Sequence, residues 1–512
     1  MASIVNSFAI SGVEAYLVDV EVKTINGQPM ISIVGLGDTA VKEARERVEA
    51  AINDSRYVFP QKKVVINLAP SDLKKSGSHF DLAIAIGLLM ETGQLVLQKE
   101  ERFGIIGELS LNASLRACSG ILPMVTAARA SGVKNIIVPM DNLKEATLVK
   151  DVNIFGFESL MDVVEFLKGN KPYNQEHNLS KPDQIKGLDD LDFKDVQGQD
   201  GLIEYIVVAA AGGHNLLMIG SPGCGKSMIA KRIPTILPSM TEEEALEVTK
   251  IYSVAGILRE KGGLILNRPF RAPHHNASTN SLIGGGNDAT PGEISLSHNG
   301  VLFLDEIAEF SKKTLESLRQ PMEDQVVTIS RVKYTNTYPA SFMLVAAMNP
   351  CPCGYYGTDR CKCSDYEVLK YRQKISGPIM DRMDIQKYVR PVNFMDLSSD
   401  FTGISSEQLR ERVEFARKIQ QKRFAKVDRI NCNAQMGNIL IKEHCQLEDE
   451  GHKLLMLAYE RYKYSARAYH KYLKVARTFA DMEASSKIRK KDIAMALMAR
   501  DLEKDRAVMT VL

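Results

Sequence analysis

A glycine-rich loop carries residue types that can hold a nucleotide phosphate. It fits the pattern Gly-x-x-x-x-Gly-Lys-Ser and consists of Gly220, Ser221, Pro222, Gly223, Cys224, Gly225, Lys226 and Ser227. The glycines let backbone N–H groups curl around the β- and γ-phosphates, Lys226 adds a mobile positive charge, and the Ser227 hydroxyl can ligate Mg²⁺. Apolar residues at 215–219 and a helical pattern at 228–231 supply the strand and helix that such a loop needs.

A second motif downstream supplies two carboxylates. Residues 300–306 have the pattern of a buried apolar strand that ends in Asp305 and Glu306. We expect Asp305 to hold Mg²⁺ through water and Glu306 to polarise the water that attacks the γ-phosphate. A strand followed by a surface acidic pair would look the same, but the phosphate loop in the same chain favours the catalytic interpretation. Together the two motifs predict that the protein binds and hydrolyses ATP with Mg²⁺.

Composition limits the class of protein but leaves its partners open. The chain has 512 residues, 45% hydrophobic and 25% charged, which is typical of about three soluble globular domains. Its net charge is +2, so a nucleic-acid surface would have to be a local patch. The first basic residue is Lys23 and no apolar run is long enough to span a bilayer, so we expect a cytoplasmic protein without membrane contact. Eight cysteines, one of them in the phosphate loop, favour reduced thiols or a metal site over disulfides.

The chain is predicted to form three folded parts joined by one linker. Residues 1–167 alternate apolar strands with helical stretches, which predicts an α/β domain. A polar linker with two prolines follows at 168–194, and a second α/β unit with the nucleotide site covers 195–395. Residues 396–512 are rich in helix formers and poor in Gly and Pro, which predicts a helical lid.

Two stretches of the first part, 69–82 and 107–111 with Gly120 beyond, resemble the proteolytic domain of Lon-type proteases. In those proteases the stretches carry a catalytic Ser and Lys. Here His79 stands at the position of the nucleophile, and residues 122–124 lack the expected Lys. A Ser-Lys dyad on the neighbouring turn would be the alternative; its members would be Lys75, Ser76 and Ser78. Adjacent residues on a turn are more often solvated caps, so the resemblance implies a scaffolding or docking domain without protease activity.

Two segments of the second part resemble elements of AAA+ ATPases. Asn349 follows the apolar run 342–347 and resembles the sensor-1 residue that orients the lytic water, although Asn-Pro is also a common strand-ending turn. Residues 376–384 resemble the segment that holds the arginine finger in magnesium-chelatase and minichromosome-maintenance ATPases. Arg382 would then stabilise charge on the phosphoryl group in a neighbouring subunit, unless it is part of a plain surface Asp-Arg pair. A finger that acts in trans implies a homo-oligomer such as a ring.

A segment of the predicted lid, 465–470, resembles the sensor-2 segment of the same branch. The resemblance places Arg467 on the γ-phosphate. Helical spacing puts Arg467, Lys471 and Lys474 on one face. That face is equally typical of a solvated stripe and of a DNA contact.

Further stretches extend the likeness over nearly the whole chain. Residues 268–275, 284–286, 291–293 and 349–354, together with the motifs above, resemble the magnesium-chelatase-like AAA+ family of YifB or ComM type. The resemblance implies a Lon-protease-like N-terminal α/β domain, an AAA+ P-loop α/β module and a C-terminal helical lid. It also implies a hexameric ATPase that acts on branched DNA as a branch-migration helicase in recombination or natural transformation.

A metal-insertion motor is the alternative from the same family. It would use the same ring to act on a protein partner, as the chelatase ATPase subunit does. The partner subunit of the chelatase carries an Asp-x-Ser-x-Ser motif, and residues 396–400 break that motif at the last position.

Two insertions are expected to touch the substrate. The stretch 326–334 alternates as a strand should and predicts a hairpin before sensor 1. Its Arg331 and Lys333 carry the charge to grip phosphate oxygens of single-stranded or branched DNA, although a plain surface hairpin would look similar. The glycine-rich segment 268–291 is similar to the insert that projects into the ring pore.

Four cysteines are spaced closely enough to bind one metal ion. They form the pattern Cys-x-Cys-x₇-Cys-x-Cys and are Cys351, Cys353, Cys361 and Cys363. Four thiolates can surround Zn²⁺ tetrahedrally, although Cys-x-Cys is tighter than the usual finger spacing. A structural zinc site is therefore predicted, with a redox role or free thiols as the alternatives.

Overall fold

The computed structural model describes most of the chain. The described residues are 2–97, 101–173, 191–258, 263–286, 289–331, 334–391, 403–427, 430–462 and 464–502. Lys333, the side chain of Arg331 and residues 396–400 lie outside them, as does most of the predicted linker.

The first sheet is a mixed sheet built from the N-terminal strands. These are β1 (Ser3–Ser11), β2 (Glu14–Ile25), β3 (Met30–Val34), β4 (Lys63–Ala69), β5 (Phe103–Ile105), β6 (Glu108–Leu109), β7 (Leu115–Arg116), β8 (Asn135–Pro139) and β9 (Asn153–Phe157). Seven of them pair in the order β3-β4-β2-β1-β5-β8-β9, and β6 pairs with β7 separately. Strand β2 is antiparallel to both β1 and β4, while β3, β5, β8 and β9 pair in parallel with their neighbours.

Helices cover both faces of this sheet. They are α1 (Thr39–Asp54), α2 (Asp81–Glu91), α3 (Ile121–Ala130), α4 (Leu143–Ala146) and α5 (Leu160–Leu167). One apolar core contains α1, α2 and α5, and a second core contains α3 and α4. Nine consecutive residues of α2 are buried, as expected for a helix that is apolar all round. The predicted α/β fold of this part is confirmed.

The second sheet carries the phosphate loop. The strands of the central part of the chain are β10 (Leu216–Ile219), β11 (Phe270–Arg271), β12 (Gly284–Gly285), β13 (Thr290–Pro291), β14 (Val301–Leu304), β15 (Val326–Arg331), β16 (Tyr334–Pro339), β17 (Met343–Met348) and β18 (Ile385–Tyr388). Five of them form a parallel sheet in the order β11-β14-β17-β10-β18. Leu216 and Met218 face one core, and Leu217 and Ile219 face the other, because successive side chains of a strand point to opposite faces.

Short and medium helices surround the second sheet. They are α6 (Asp200–Gly212), α7 (Lys226–Ile236), α8 (Glu242–Val254), α9 (Thr279–Ile283), α10 (Glu293–Leu296), α11 (Lys312–Glu316), α12 (Arg319–Asp324), α13 (Asp365–Arg372) and α14 (Gly377–Met380). All residues of β10, β14 and β17 are buried, which is typical of parallel strands covered on both faces.

The C-terminal part is helical, as predicted. Its helices are α15 (Ser406–Phe424), α16 (Asn438–His444), α17 (Asp449–Tyr462), α18 (Ala466–Met482) and α19 (Lys490–Met498). Their apolar faces share one core with α6, α7 and the Leu216 face of β10. Within the described ranges, none of the helices has the length and apolar character needed to cross a bilayer.

Candidate active site

The phosphate loop lies between the carboxyl end of β10 and the start of α7. Gly223 and Gly225 adopt φ angles of 78° and 88°, a region that only glycine visits without strain. Helix α7 begins at Lys226, so its unpaired N–H groups and the positive end of its dipole face the loop. The backbone therefore has the form of an anion cradle.

Lys226 links the loop to the predicted sensor. Its Nζ donates to the carbonyls of Gly220 and Ser221, at 2.6 and 3.0 Å, and to Asn349 Oδ1 at 3.3 Å. Asn349 follows β17, and β17 lies between β10 and the carboxylate strand β14. The expected position of Asn349, on the strand beside Asp305, is thus the observed one.

Ser227 and Asp305 form an oxygen-rich pair. The Ser227 hydroxyl donates to Asp305 Oδ2 at 2.6 Å, and the other Asp305 oxygen accepts the Glu306 N–H at 3.0 Å. A hydroxyl and a carboxylate held side by side, next to a phosphate cradle, fit the preference of Mg²⁺ for hard oxygen ligands. The two predicted magnesium ligands are therefore brought together.

Glu306 has a neighbour that the sequence motifs did not reveal. Its φ is 50°, in the left-handed region, and its side chain is 52% exposed. His275 Nδ1 lies 3.6 Å from Glu306 Oε2. His275 comes four residues after β11, the strand that pairs with β14. The one sequence feature that could have indicated its contact with Glu306 is a polar residue soon after the strand next to β14.

Arg382 lies at the amino ends of the parallel strands, opposite the phosphate loop, which lies at their carboxyl ends. It precedes β18, which runs parallel to β10, whereas the phosphate loop follows β10. A four-residue strand spans about 13 Å, so roughly that depth of sheet separates Arg382 from the phosphate loop of its own chain. Its guanidinium donates to the Pro378 carbonyl at 2.8 Å and pairs with Glu323.

Arg382 and Arg467 line one cleft of about 530 Å³. Its charged walls carry six basic side chains and four carboxylates: Arg268, Arg382, Arg417, Arg467, Lys471, Lys474, Glu244, Glu323, Asp381 and Asp384. Among the described residues that line it, none belongs to the phosphate loop. Within one chain, Arg467 is therefore grouped with the finger and away from the loop that it was expected to serve.

The predicted common face of Arg467, Lys471 and Lys474 exists, but it is not a solvated stripe. All three side chains line the cleft. Lys471 is mostly buried and pairs with Asp384 at 2.8 Å, and Lys474 donates to the Ala434 carbonyl at 2.8 Å. The contacts with Asp384 and with the Ala434 carbonyl thus remove two of the three charges from solvent.

Asp384 joins the finger segment to both the sheet and the lid. It accepts the Asn215 N–H at 3.1 Å, and the Asn215 amide donates to the Arg382 carbonyl at 3.0 Å. Burial alone would raise the pKa of Asp384, but Lys471 and His214 hold it well below its usual range. Asp384 is thus a buried anion that fixes α18 and the Arg382 loop together.

The predicted hairpin before sensor 1 is present. Strands β15 and β16 pair antiparallel from Val326 with Pro339 to Arg331 with Tyr334. That register pairs Arg331, the last residue of β15, with Tyr334, the first residue of β16.

The four cysteines converge. Cys351 Sγ lies 3.3 Å from Cys353 Sγ and 3.9 Å from Cys361 Sγ, and all four sulfurs lie within 4.8 Å of one another. A tetrahedral ion with Zn–S bonds of about 2.3 Å would separate its sulfurs by about 3.8 Å, so the cluster fits zinc. Backbone N–H groups of Lys362 and Tyr355 lower the pKa of Cys353 to about 6, whereas the neighbouring sulfurs raise the pKa of Cys361 and Cys363, so without a cation the cluster favours one thiolate.

In the N-terminal part, the residues at the Lon-like positions have structural partners. His79 is buried, its Nε2–H donates to the Phe8 carbonyl at 2.8 Å, and burial lowers its pKa to about 4. Lys75 Nζ donates to the carbonyls of Pro70 and Leu73, and Ser78 Oγ donates to Glu108. Lys75 and Ser78 therefore point to different partners and not to each other.

Sequence comparisons place these features in one family. The profile for magnesium chelatase, subunit ChlI, matches residues 192–432, a second ChlI profile matches 20–142, and the profile for its C-terminal region matches 403–500. The chain is 40% identical to the competence protein ComM of Haemophilus influenzae over 98% of this chain and 99% of that protein. The chain belongs to the magnesium-chelatase-like AAA+ family of YifB and ComM type.

Other relatives agree with this assignment. The uncharacterized protein YifB of Escherichia coli is 40% identical over 98% of this chain and 97% of that protein. Lon protease 2 of Bacillus subtilis is 25% identical over 109 residues, 21% of this chain and 19% of that protein. The family resemblance and the fold expected from the motifs are thus confirmed: an AAA+ α/β module, Lon-like similarity and a C-terminal helical region.

Proposed function

We propose that this YifB/ComM-type protein is a ring-forming ATPase that couples ATP hydrolysis to DNA remodelling, as a branch-migration helicase in recombination or natural transformation. The observation that carries the proposal is the separation of two half-sites. Lys226, Ser227, Asp305 and Asn349 meet at one edge of the sheet, and Arg382 lies at the other. A second copy that docks its Arg382 edge on the phosphate loop completes the site.

The chemistry of the proposed site is divided between two subunits. The phosphate loop and Lys226 hold ATP, Ser227 and Asp305 hold Mg²⁺, and Glu306 and Asn349 orient the attacking water. Arg382 and Arg467 of the adjacent copy stabilise charge on the transferred phosphoryl group. The excess of basic groups in the cleft supports an anionic occupant such as the triphosphate.

Repetition of this head-to-tail contact closes into a ring, and a hexamer is the proposed size. The interface is heterologous because the loop edge of one copy meets the finger edge of the next. Asp384 supports the arrangement, since it holds α18 and the Arg382 loop in one rigid unit.

The proposed DNA contact is the tip of the β15–β16 hairpin, at Arg331 and Lys333. A two-stranded hairpin with two basic residues at its tip can follow a phosphate backbone without reading sequence. The hairpin directly precedes β17 and Asn349, so it is coupled to the ATP site through one strand. The ComM relative is named a competence protein, which supports a role in competence.

The N-terminal part is proposed to be a brace and not a protease. The proposed boundaries are 1–167 for this domain, 168–194 for the linker, 195–395 for the AAA+ core and 396–512 for the lid. The turn between β1 and β2 lies close to the β15–β16 hairpin. A Cβ added to Gly12 would lie 2.9 Å from the Thr337 carbonyl oxygen in β16. His79 and Lys75 are committed to backbone carbonyls, which supports the absence of a Ser-Lys dyad.

The cysteine cluster is proposed to bind one structural Zn²⁺ per chain. Four thiolates close the coordination sphere, as in structural sites, and leave no open position for a substrate.

A metal-insertion motor is the second candidate, and the match to the ChlI profiles favours it. A strand-displacement assay on annealed four-way and forked DNA with labelled strands distinguishes the helicase from the insertion motor. The helicase proposal expects ATP-dependent strand displacement by the wild type and none by Lys226→Ala. Failure to move any labelled strand, with intact ATP hydrolysis that rises only with a protein partner, would favour the insertion motor.

A further inference from the structure

The segment that carries the four cysteines, residues 351–363, lies directly against the phosphate loop. We call this segment the cysteine knuckle. Gly354, in its first turn, has a φ of 86°, and a Cβ added there would lie 2.7 and 2.9 Å from Cδ and Cγ of Pro222. Real Cβ atoms do not approach carbon so closely, so the first turn of the knuckle is in full contact with the first turn of the loop.

The knuckle is also joined to the ATP site through the polypeptide chain. Cys351, a fully buried member of the cluster, is two residues beyond Asn349, whose side chain meets Lys226 Nζ. The knuckle therefore touches the ATP site twice, through the Pro222 ring and through the sensor that precedes it.

Little besides the cysteines holds the knuckle in shape. It contains no helix or strand, and turns such as Gly354 N–H to the Cys351 carbonyl and Cys361 N–H to the Thr358 carbonyl, both 3.0 Å, fold it locally. One contact from outside is Arg372, whose guanidinium lies 5.2 Å from the Tyr356 ring. In segments of this kind the free energy of metal binding supplies the free energy of folding.

We propose that zinc in the cysteine knuckle holds the phosphate loop in its ATP-binding form, so that zinc occupancy sets the affinity for ATP. The inference rests on the proposed ATP and zinc sites. Pro222 and Gly223 are exposed apart from the contact with the knuckle. The knuckle therefore restricts the movement of the first turn of the loop. If loss of zinc lowers the population of the competent loop to about a tenth, the apparent affinity for ATP falls about tenfold.

The chain offers a matched pair of glycines for the test. Gly357, in the same knuckle, has a φ of 85°, and a Cβ added there meets nothing within 4 Å. Gly354→Ala and Gly357→Ala thus introduce the same backbone strain, but only the first pushes on Pro222. Both retain all four cysteines.

Each purified variant is assayed for zinc by elemental analysis and for the dissociation constant of a fluorescent ATP analogue with Mg²⁺. We expect about one zinc per chain in both variants, following the four-thiolate rule. Gly354→Ala should bind the analogue about tenfold more weakly than Gly357→Ala, as should wild type freed of zinc and returned to Mg²⁺ buffer. Addition of zinc should restore the wild type.

Equal affinities in the two variants, together with equal affinity of zinc-free and zinc-loaded wild type, would overturn the inference while leaving ATP binding intact. If zinc-loaded wild type and Lys226→Ala bind the analogue equally, the proposed ATP site itself is wrong. Wild type purified under reducing, chelator-free conditions without zinc would refute the metal on which the inference depends.

Discussion

Arg382→Ala should abolish hydrolysis in a pure preparation and recover it in a mixture with Lys226→Ala. About 13 Å of sheet separates Arg382 from its own phosphate loop, and we therefore expect each active site to take its loop from one copy and its finger from the next. Loss of such a finger lowers the rate about 10³- to 10⁵-fold. In an equimolar mixed ring, a site works only when an Arg382→Ala copy is followed by a Lys226→Ala copy. Random assembly gives about one site in four, whatever the size of the ring.

The assay is steady-state release of phosphate at constant total protein while the mixing ratio is varied. Activity should peak at the equimolar point at about a quarter of the wild-type rate, if sites act independently. Arg319→Ala is the control, because Arg319 is exposed and pairs with Glu316 one turn away. It should be active alone, and its mixtures with Lys226→Ala should change linearly. Full activity of pure Arg382→Ala, or no peak on mixing, would refute the separation of the site between copies.

Three further outcomes are expected. Glu306→Gln should bind ATP with wild-type affinity and lose about 10²- to 10⁴-fold in turnover, whereas Lys226→Ala should lose ATP binding. Filter binding measures the affinity and phosphate release measures the turnover. Normal turnover of Glu306→Gln would contradict the assignment of Glu306. Burial lowers the pKa of His79 from 6.5 in the unfolded chain to about 4 in the folded protein. Between these pH values only the unfolded chain binds the proton, so the free energy of unfolding falls by about 3 kcal/mol from pH 6.5 to pH 4. Denaturant unfolding of His79→Gln should show a correspondingly flatter pH profile, and an unchanged profile would show that His79 is not buried as a neutral base. Replacement of Arg331 and Lys333 by Ala should make the log–log salt dependence of binding to single-stranded DNA shallower by about 0.7 per charge, and an unchanged slope would remove the hairpin from the DNA contact.

The parts of the site that could be predicted are those coded by local pattern. The phosphate loop and the strand that ends in Asp305 depend on neighbouring residues, and the hairpin predicted from 326–334 depends on alternation along one strand. The structure has the loop after β10, Asp305 after β14 and a hairpin from Val326 to Pro339. The position of Asn349 just after a strand could also be predicted, because Asn349 follows an apolar run.

Features that depend on how distant segments meet could not be predicted. Three basic residues on one face of α18 were found from helical spacing, but whether that face meets solvent depends on Asp384, some ninety residues away in the chain. The contact of His275 with Glu306 and that of Gly354 with Pro222 likewise arise from the packing of separate loops around the sheet. No pattern within either segment encodes them.

In the proposed function, DNA stimulates ATP hydrolysis by this protein. The most direct measurement is the rate of ATP hydrolysis by the wild type with no DNA, with single-stranded DNA and with forked or four-way DNA. We expect the rate to rise with DNA, with little dependence on base sequence, and to stay at the basal level when Arg331 and Lys333 are replaced by Ala. A wild-type rate that is the same with every DNA would contradict it.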